Sequence, residues 1–501
     1  MTSVKKNVIF NYGGQLYSTL IGILVLPLFL QYVGAEAYGL IGFYTLVQAW
    51  MSLVDLGMTP TIGREVARLK TQPAEAGRLV AIVNSLEVVF VVVAVVVACL
   101  MVIGREWLSA HWLTVEKLDM ATVETAVAII GITVAVRWAS SLNRSGINAF
   151  EHQVWLNIFE VMINTLRFPV ALLLVIWLDG DVLAYFYFQL AVVGIEFVIL
   201  RGKLRRLLPV VQALRFSWPE LKRIAPFAIS IGYTTAIWVL LTQLDKLVLS
   251  KTLTLSEYGY FTLVATVSSG VMMLSGPVSK AILPRMTALL AEGKKDEMIQ
   301  LYRTSTRLIV ILVMPIAITI ACLPYSVLFV WTGNEEAARW GEQILPLFIM
   351  GAAILAVVAF QYYLQYVYGN LKYHVRYNTF SVLANVPLII FLAIEYGPIG
   401  VAWLWFGFRA LSLFVWVPFV HSRFAPGLNK IWFLKDVLKP LILVFGVVFI
   451  GSLVAENIEQ TSRFLQFLRL AIIGACATLF PAAWVFRSVF RRRSVAQEDQ
   501  F

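Results

Sequence analysis

Apolar runs of bilayer-spanning length follow one another from position 8 to position 490, with no polar domain between them. A helix needs about 20 mostly apolar residues to cross the hydrocarbon core. Within lipid, only helices and closed barrels satisfy their own backbone groups. Fourteen such runs are legible, at 8–32, 39–62, 79–103, 123–147, 155–178, 182–200, 224–250, 258–284, 306–331, 343–368, 377–395, 399–421, 437–455 and 466–487. The pattern predicts an all-α polytopic membrane protein. Charge content agrees, at 14% where a soluble chain would carry about 25%. Lys5 and Lys6 precede the first run. That run is too long for a signal peptide and no small-residue cleavage pattern follows, so it is read as an uncleaved span.

The net charge of +11 has a topological explanation. With both termini placed in the cytoplasm, 29 of the 40 Lys and Arg lie in or against the loops on that side. Six lie on the opposite side, and the other five, Arg137, Arg167, Lys246, Lys280 and Arg409, lie within spans. This is the positive-inside bias, so no nucleic-acid partner is expected. The predicted location is a membrane crossed many times. Outer loops are short, the longest near 104–122, which leaves no room for the ordered extramembrane site of a membrane glycosyl polymerase or ligase.

The chain also repeats itself. Thr45, Leu46, Val47, Ser52, Val54, Pro60, Arg68, Ala74 and Glu75 recur 217 positions later as Thr262, Leu263, Val264, Ser269, Val271, Pro277, Arg285, Ala291 and Glu292, nine identities in 31 positions. Each copy follows a Tyr-Gly pair, Tyr38-Gly39 and Tyr258-Gly259. Six spans separate the copies, so the halves share one orientation and should be parallel repeats, an arrangement typical of transporters with the substrate path between halves. The expected division is a first lobe over 1–215, a second over 216–425, and an added pair of spans with a basic tail over 426–501. Residues 201–223, basic and with Leu207, Leu208, Val211 and Leu214 at helical spacing, are expected to form an amphipathic surface helix.

Catalytic signatures are absent from the sequence: no Walker-type phosphate loop, no H-E-x-x-H, C-x-x-C or G-x-S-x-G. No ATP site, metal or other cofactor is expected. The three cysteines fall in apolar runs and carry no disulfide or metal spacing, and the four histidines read as interfacial. What remains is charge at depth, which costs at least about 2.5–3.5 kcal/mol and so faces a partner or a watery cavity. Arg137, Arg167 and Arg409 sit mid-span, Lys246 and Lys280 nearer the ends; the acids at depth are Asp55, Glu160, Glu196 and Asp245. One reading is a cationic cavity for an anionic substrate, since arginine presents a fork of donors that matches phosphate. The other is internal pairing, Asp245 with Lys246 or Arg409 and Glu160 with Arg167. Aromatic runs such as Tyr362-Tyr363 read as interface belts, or with Gln361 and Gln365 as a sugar-accepting surface.

Asn7, Asn11, Pro27-Leu28-Phe29-Leu30, Val33-Gly34-Ala35-Glu36-Ala37-Tyr38-Gly39-Leu40, Asp55-Leu56-Gly57 and Arg64-Glu65 together resemble the Wzx-type polysaccharide flippases of the MATE-like superfamily. Gln243-Leu244-Asp245-Lys246-Leu247-Val248-Leu249 and Ser256-Glu257-Tyr258-Gly259-Tyr260 resemble the same family's second half. The resemblance implies two six-helix lobes in a V, with spans 13 and 14 as in longer members. It also implies alternating access and a lipid-linked oligosaccharide on undecaprenyl diphosphate, flipped from the cytoplasmic to the periplasmic leaflet. An ion or proton gradient would supply the energy, with Asp245, Asp55, Glu160 and Glu196 as coupling candidates. Arg137, Arg167, Arg409, Lys246 and Lys280 would hold the substrate. Beyond the glycan and membrane lipids, polysaccharide polymerase and chain-length machinery are expected partners. Multidrug relatives carry a coupling acid in span 1, and 8–32 has none. The alternatives are a lipid II-type or drug exporter of the same fold, and a non-transporting scaffold for glycan synthesis.

Overall fold

A computed structural model describes the backbone of residues 2–211, 216–455 and 462–498. Side chains are described for 13–453 and 462–483, apart from those of residues 16, 19 and 212–215. The described residues are mostly helical, in the main helices α1 (Thr2–Val33), α2 (Ala35–Val54), α3 (Met58–Leu69), α4 (Ala76–Ile103), α5 (Met120–Ala149), α6 (Gln153–Trp177), α7 (Val182–Leu207), α8 (Trp218–Thr252), α9 (Leu255–Met273), α10 (Ser275–Ala291), α11 (Lys295–Cys322), α12 (Pro324–Thr332), α13 (Glu335–Glu342), α14 (Leu345–Val367), α15 (Lys372–Phe424), α16 (Lys439–Ala455) and α17 (Arg463–Glu498). Among the described residues, 12 helical stretches are long and apolar enough to cross a membrane. One of them, α15, runs over 53 residues and holds two of the expected spans. Gly397, at φ 61° and ψ −150°, breaks it where Tyr396-Gly397-Pro398 marks a loop. The expected span at 437–455 is helical, over the end of a π-helical turn at Trp432–Leu438 and α16.

The chain forms two compact units, Met1–Gly259 with Ser381–Val386, and Tyr260–Phe380 with Pro387–Phe501. In the first unit α5 is the central helix. Ala126, Ala135, Ala139 and Gly146 are buried along it, and Gly131 lies against Met101 of α4 while Gly146 meets Leu204 of α7. Small residues let apolar helices approach closely where lipid offers no hydrophobic drive. In the second unit α11 is central, buried through Ile309, Val310, Val313, Met314 and Ala317. Asp436, fully buried, joins Arg303 at 2.6 Å and Arg307 at 3.0 Å.

Helix α8, expected to open the second lobe, packs in the first unit. The turn between α2 and α3 explains why. Asp55 accepts from the Thr59 backbone at 3.2 Å and from its hydroxyl, while Leu56 (φ 45°) and Gly57 (φ 75°) take left-handed conformations. This brings the chain onto α8 so closely that a Cβ on Gly232 would lie 2.6 Å from the Leu56 carbonyl carbon. Arg78 of α4 also pairs with Glu220 of α8 at 2.9 Å. The expected surface helix over 201–223 differs as well. Residues 201–207 end α7, with Arg201 and Arg205 both on Glu87 of α4, 208–211 and 216–217 are not helical, and 212–215 lie outside the described residues.

The two Tyr-Gly copies meet. Gly39 of α2 sits against the Leu255 carbonyl, and a Cβ on Gly259 would lie 2.6 Å from the Ala35 carbonyl oxygen. The segment between α4 and α5 straps this junction: Glu36 accepts from the backbone N–H groups of Glu116 (2.6 Å), Lys117 (2.8 Å) and Leu118 (2.8 Å), and Leu255 N–H donates to Thr114 at 2.9 Å. Replacing Gly39 by Val must push these backbones apart, and overpacking of this kind costs about 1–3 kcal/mol. The Gly39→Val protein is expected to melt several degrees below wild type in detergent. Gly194→Ala, where an added Cβ meets nothing within 4 Å, is expected to show no loss. Equal melting of all three proteins would contradict the close crossing.

Candidate functional site

A cavity of about 350 Å³ opens inside the first unit, lined from three helices. Helix α2 supplies Gln48, Met51 and Ser52. Helix α5 supplies Val134, Arg137, Trp138, Ser141 and Arg144, and α6 supplies Glu160, Asn164 and Arg167. The polar members fall at i, i+4 and i+7: 137, 141, 144 on one helix and 160, 164, 167 on the next. Residues so spaced share one helix face. Each helix thus turns a polar stripe to the cavity and its apolar surface elsewhere.

Arg137 donates to the Gln48 carbonyl oxygen at 2.7 Å and to the Tyr44 hydroxyl at 3.2 Å, neutral partners that leave its charge uncompensated by direct contact. Arg144 donates to Glu160 with one terminal nitrogen and to Glu196 with the other. Arg167 reaches the second oxygen of Glu196 at 2.5 Å. Glu196 is fully buried and Arg167 nearly so. Three guanidiniums therefore face two carboxylates, and the site carries one net positive charge. Arg167 sits in a π-helical turn, Leu166–Val170, that contains Pro169. Proline cannot donate and its ring crowds the preceding turn, which the wider turn relieves. Gln189 steadies this turn by donating to the Arg167 carbonyl at 2.8 Å. The Arg167 Nε, buried beside the cavity, has no hydrogen-bond partner among the described residues.

Of the residues singled out from sequence, the structure brings Arg137, Arg167, Glu160 and Glu196 together. The pairing differs from the expected one: Glu160 meets Arg144, and Arg167 takes Glu196. Arg144 is the member that sequence reasoning missed, because near the inner end of its span it reads as a topological charge. Its place on the Arg137 stripe is the signal that identifies it. Asp55 caps the start of α3 through Thr59. In α8, Asp245 is buried and Lys246 donates to the Thr242 carbonyl (3.2 Å) and the Gln243 side chain (2.8 Å). In the second unit Arg409 lies over the Trp405 ring at 4.5 Å, and Lys280 is exposed on α10. Gln361 and Gln365 are buried and bond each other at 2.6 Å. His421, expected at an interface, is fully buried between Tyr302 and Asn429.

The family model for polysaccharide biosynthesis proteins matches residues 4–290, more than half of the chain and all of the cavity. The chain belongs to that family. A putative O-antigen transporter of Shigella flexneri is 18% identical over 408 residues, covering 80% of this chain and 94% of its own. The fold is similar to that of the lipid II flippase MurJ in an inward closed conformation, with a TM-score of 0.76 at 14% identity over 96% of this chain and 100% of that one. It is also similar to an inward-facing multidrug resistance MATE transporter of the MOP superfamily, with a TM-score of 0.57 at 13% identity over 83% and 96% of the two chains. The chain is thus a polysaccharide biosynthesis protein by family, with 12 helical stretches among the described residues long and apolar enough to cross a membrane and a fold like that of MurJ.

The buried pair sets an expectation for stability. Removing the charge of Glu196 leaves two guanidiniums facing each other in a low-dielectric interior, a loss of about 3–5 kcal/mol. Glu196→Gln is expected to lower the melting temperature sharply in detergent. Glu160→Gln, whose side chain is 36% exposed, is expected to shift it little. Equal losses would contradict the different burial of the two acids.

Proposed function

We propose that the protein carries a lipid-linked oligosaccharide, on undecaprenyl diphosphate, from the cytoplasmic to the periplasmic leaflet of the bacterial inner membrane. Three arginines in one intramembrane cavity carry this reading. A diphosphate needs several donors at fixed angles to replace its water, and guanidinium forks supply them with charge that does not titrate away. Arg137 is the first contact, because its present partners are neutral and exchange readily for phosphate oxygens. Gln48, Ser141 and Asn164 offer amides and a hydroxyl to the first sugar. The lipid tail stays in the bilayer, and alternating access exposes the loaded cavity to the other leaflet. An ion or proton gradient supplies the energy, and no further cofactor is needed. Both termini lie in the cytoplasm, and polymerase and chain-length machinery take over the flipped glycan. The family membership and the O-antigen transporter named above support the glycan as cargo.

Arg137→Gln is expected to reduce surface glycan at least tenfold, about 1.4 kcal/mol or more of lost transition-state or binding energy, in a strain whose own flippase is deleted. Protein level in the membrane should be unchanged, and Arg137→Lys should restore part of the export. Full export by Arg137→Gln would overturn the cavity as substrate site. Rescue of a peptidoglycan-flippase depletion, without rescue of an O-antigen-flippase deletion, would assign a different lipid-linked cargo.

A further inference from the structure

The two carboxylates of the cavity are held in different ways. Glu196 is fully buried and takes Arg144 on one oxygen and Arg167 on the other. Withdrawing it would strip the counter-charge from two guanidiniums in an apolar interior. Glu160 lines the cavity itself, its side chain is 36% exposed, and it meets Arg144 through Oε1. Its rotation away would uncover one guanidinium and leave its own charge facing cavity water. Glu196 is therefore the fixed counter-ion of the cluster, and Glu160 the exchangeable one.

Resting on the reading of the cavity as an anion site, we propose that Glu160 is an internal stand-in for the substrate's diphosphate. The incoming anion displaces it from Arg144, and its return helps expel the anion. Charge sets the selectivity. With both acids in place, three arginines against two glutamates leave one positive charge. With Glu160 displaced, three against one leave two, which match the two negative charges of a diphosphodiester. A monophosphodiester, with one charge, neutralises the resting site without moving Glu160 but cannot compensate the opened one. Opposite charges close together in a poorly solvated site couple strongly, by about 1.5–7 kcal/mol in close interfacial pairs. Competition from one carboxylate is thus large enough to govern affinity. Asn164, on the same face of α6 one turn from Glu160, donates to the Ser18 hydroxyl at 2.7 Å and holds that face in register while Glu160 swings.

The test uses the full-length protein in nanodiscs of phosphatidylethanolamine and phosphatidylglycerol. Two soluble probes are titrated at one pH and ionic strength: a geranyl glucosyl diphosphate diester and a geranyl glucosyl monophosphate diester. Wild type is expected to bind the diphosphate in preference to the monophosphate. Glu160→Gln is expected to bind the diphosphate about tenfold tighter or more, equivalent to at least about 1.4 kcal/mol. Its gain on the monophosphate, which the resting site neutralises without moving Glu160, should be smaller, and release of the diphosphate slower. Glu160→Ala, which cannot hydrogen-bond to Arg144 at all, should behave alike and guards against a local effect of the amide. Unchanged or weaker diphosphate binding by both variants, with wild-type binding intact, would overturn the displacement while leaving the anion cavity standing. Failure of wild type and both variants to bind either probe would overturn the cavity and the displacement together.

Discussion

Glu196 holds the first unit of this protein together. Its carboxylate joins three transmembrane helices, α7 through its own backbone, α5 through Arg144 and α6 through Arg167. In a bilayer, helices gain little from burying apolar surface against each other, because lipid is equally apolar. A buried acid between two guanidiniums supplies instead a directional interaction that is costly to break. The same node lies behind the wall of the cavity, fixes the side chain of Arg167 beside it, and holds its net positive charge to one. Removing the node would therefore remove the site along with the packing.

The cavity is built from one unit of the repeat and from helix faces. No loop supplies a lining residue. Rigid elements hold donors at fixed angles, which matters for an anion that must shed water to enter. The repeat supplies the frame: its two Tyr-Gly copies cross at Gly39 and Gly259, strapped by Glu36 and the segment after α4. The chemistry is not repeated. In the second unit the deep charges follow another plan, with Asp436 pairing Arg303 and Arg307, and Arg409 stacked on an indole.

The all-helical membrane fold was legible, because spanning length and apolar composition dictate it. The break at Gly397 was legible too, since Tyr396-Gly397-Pro398 cannot continue a regular helix. Arg137, Arg167, Glu160 and Glu196 were found as charges at depth, yet their partners were not, because pairing across helices depends on rotation and register that no single span encodes. Arg144 was hidden by its position near a boundary, where a positive charge has a sufficient topological reason to exist. Asp55 was legible only as an acid at depth. Its place in a turn, beside the left-handed Leu56 and Gly57 and with its oxygens accepting from Thr59, was not legible. The fate of α8 was equally unreadable: the repeat assigns it to the second half, whereas close backbone contact at Gly57 and Gly232 packs it with the first.

The central claim is that this cationic cavity carries a diphosphate-linked glycan across a bilayer. The most direct measurement is made in proteoliposomes containing a polyprenyl diphosphate oligosaccharide labelled with a fluorophore, into which a membrane-impermeant quencher is added from outside. The account predicts that wild-type protein exposes label beyond the outer-leaflet pool, and that Arg137→Gln, reconstituted in equal amount, leaves the inner pool protected. Equal exposure by both proteins, or none by wild type under an imposed ion gradient of either direction, would contradict it.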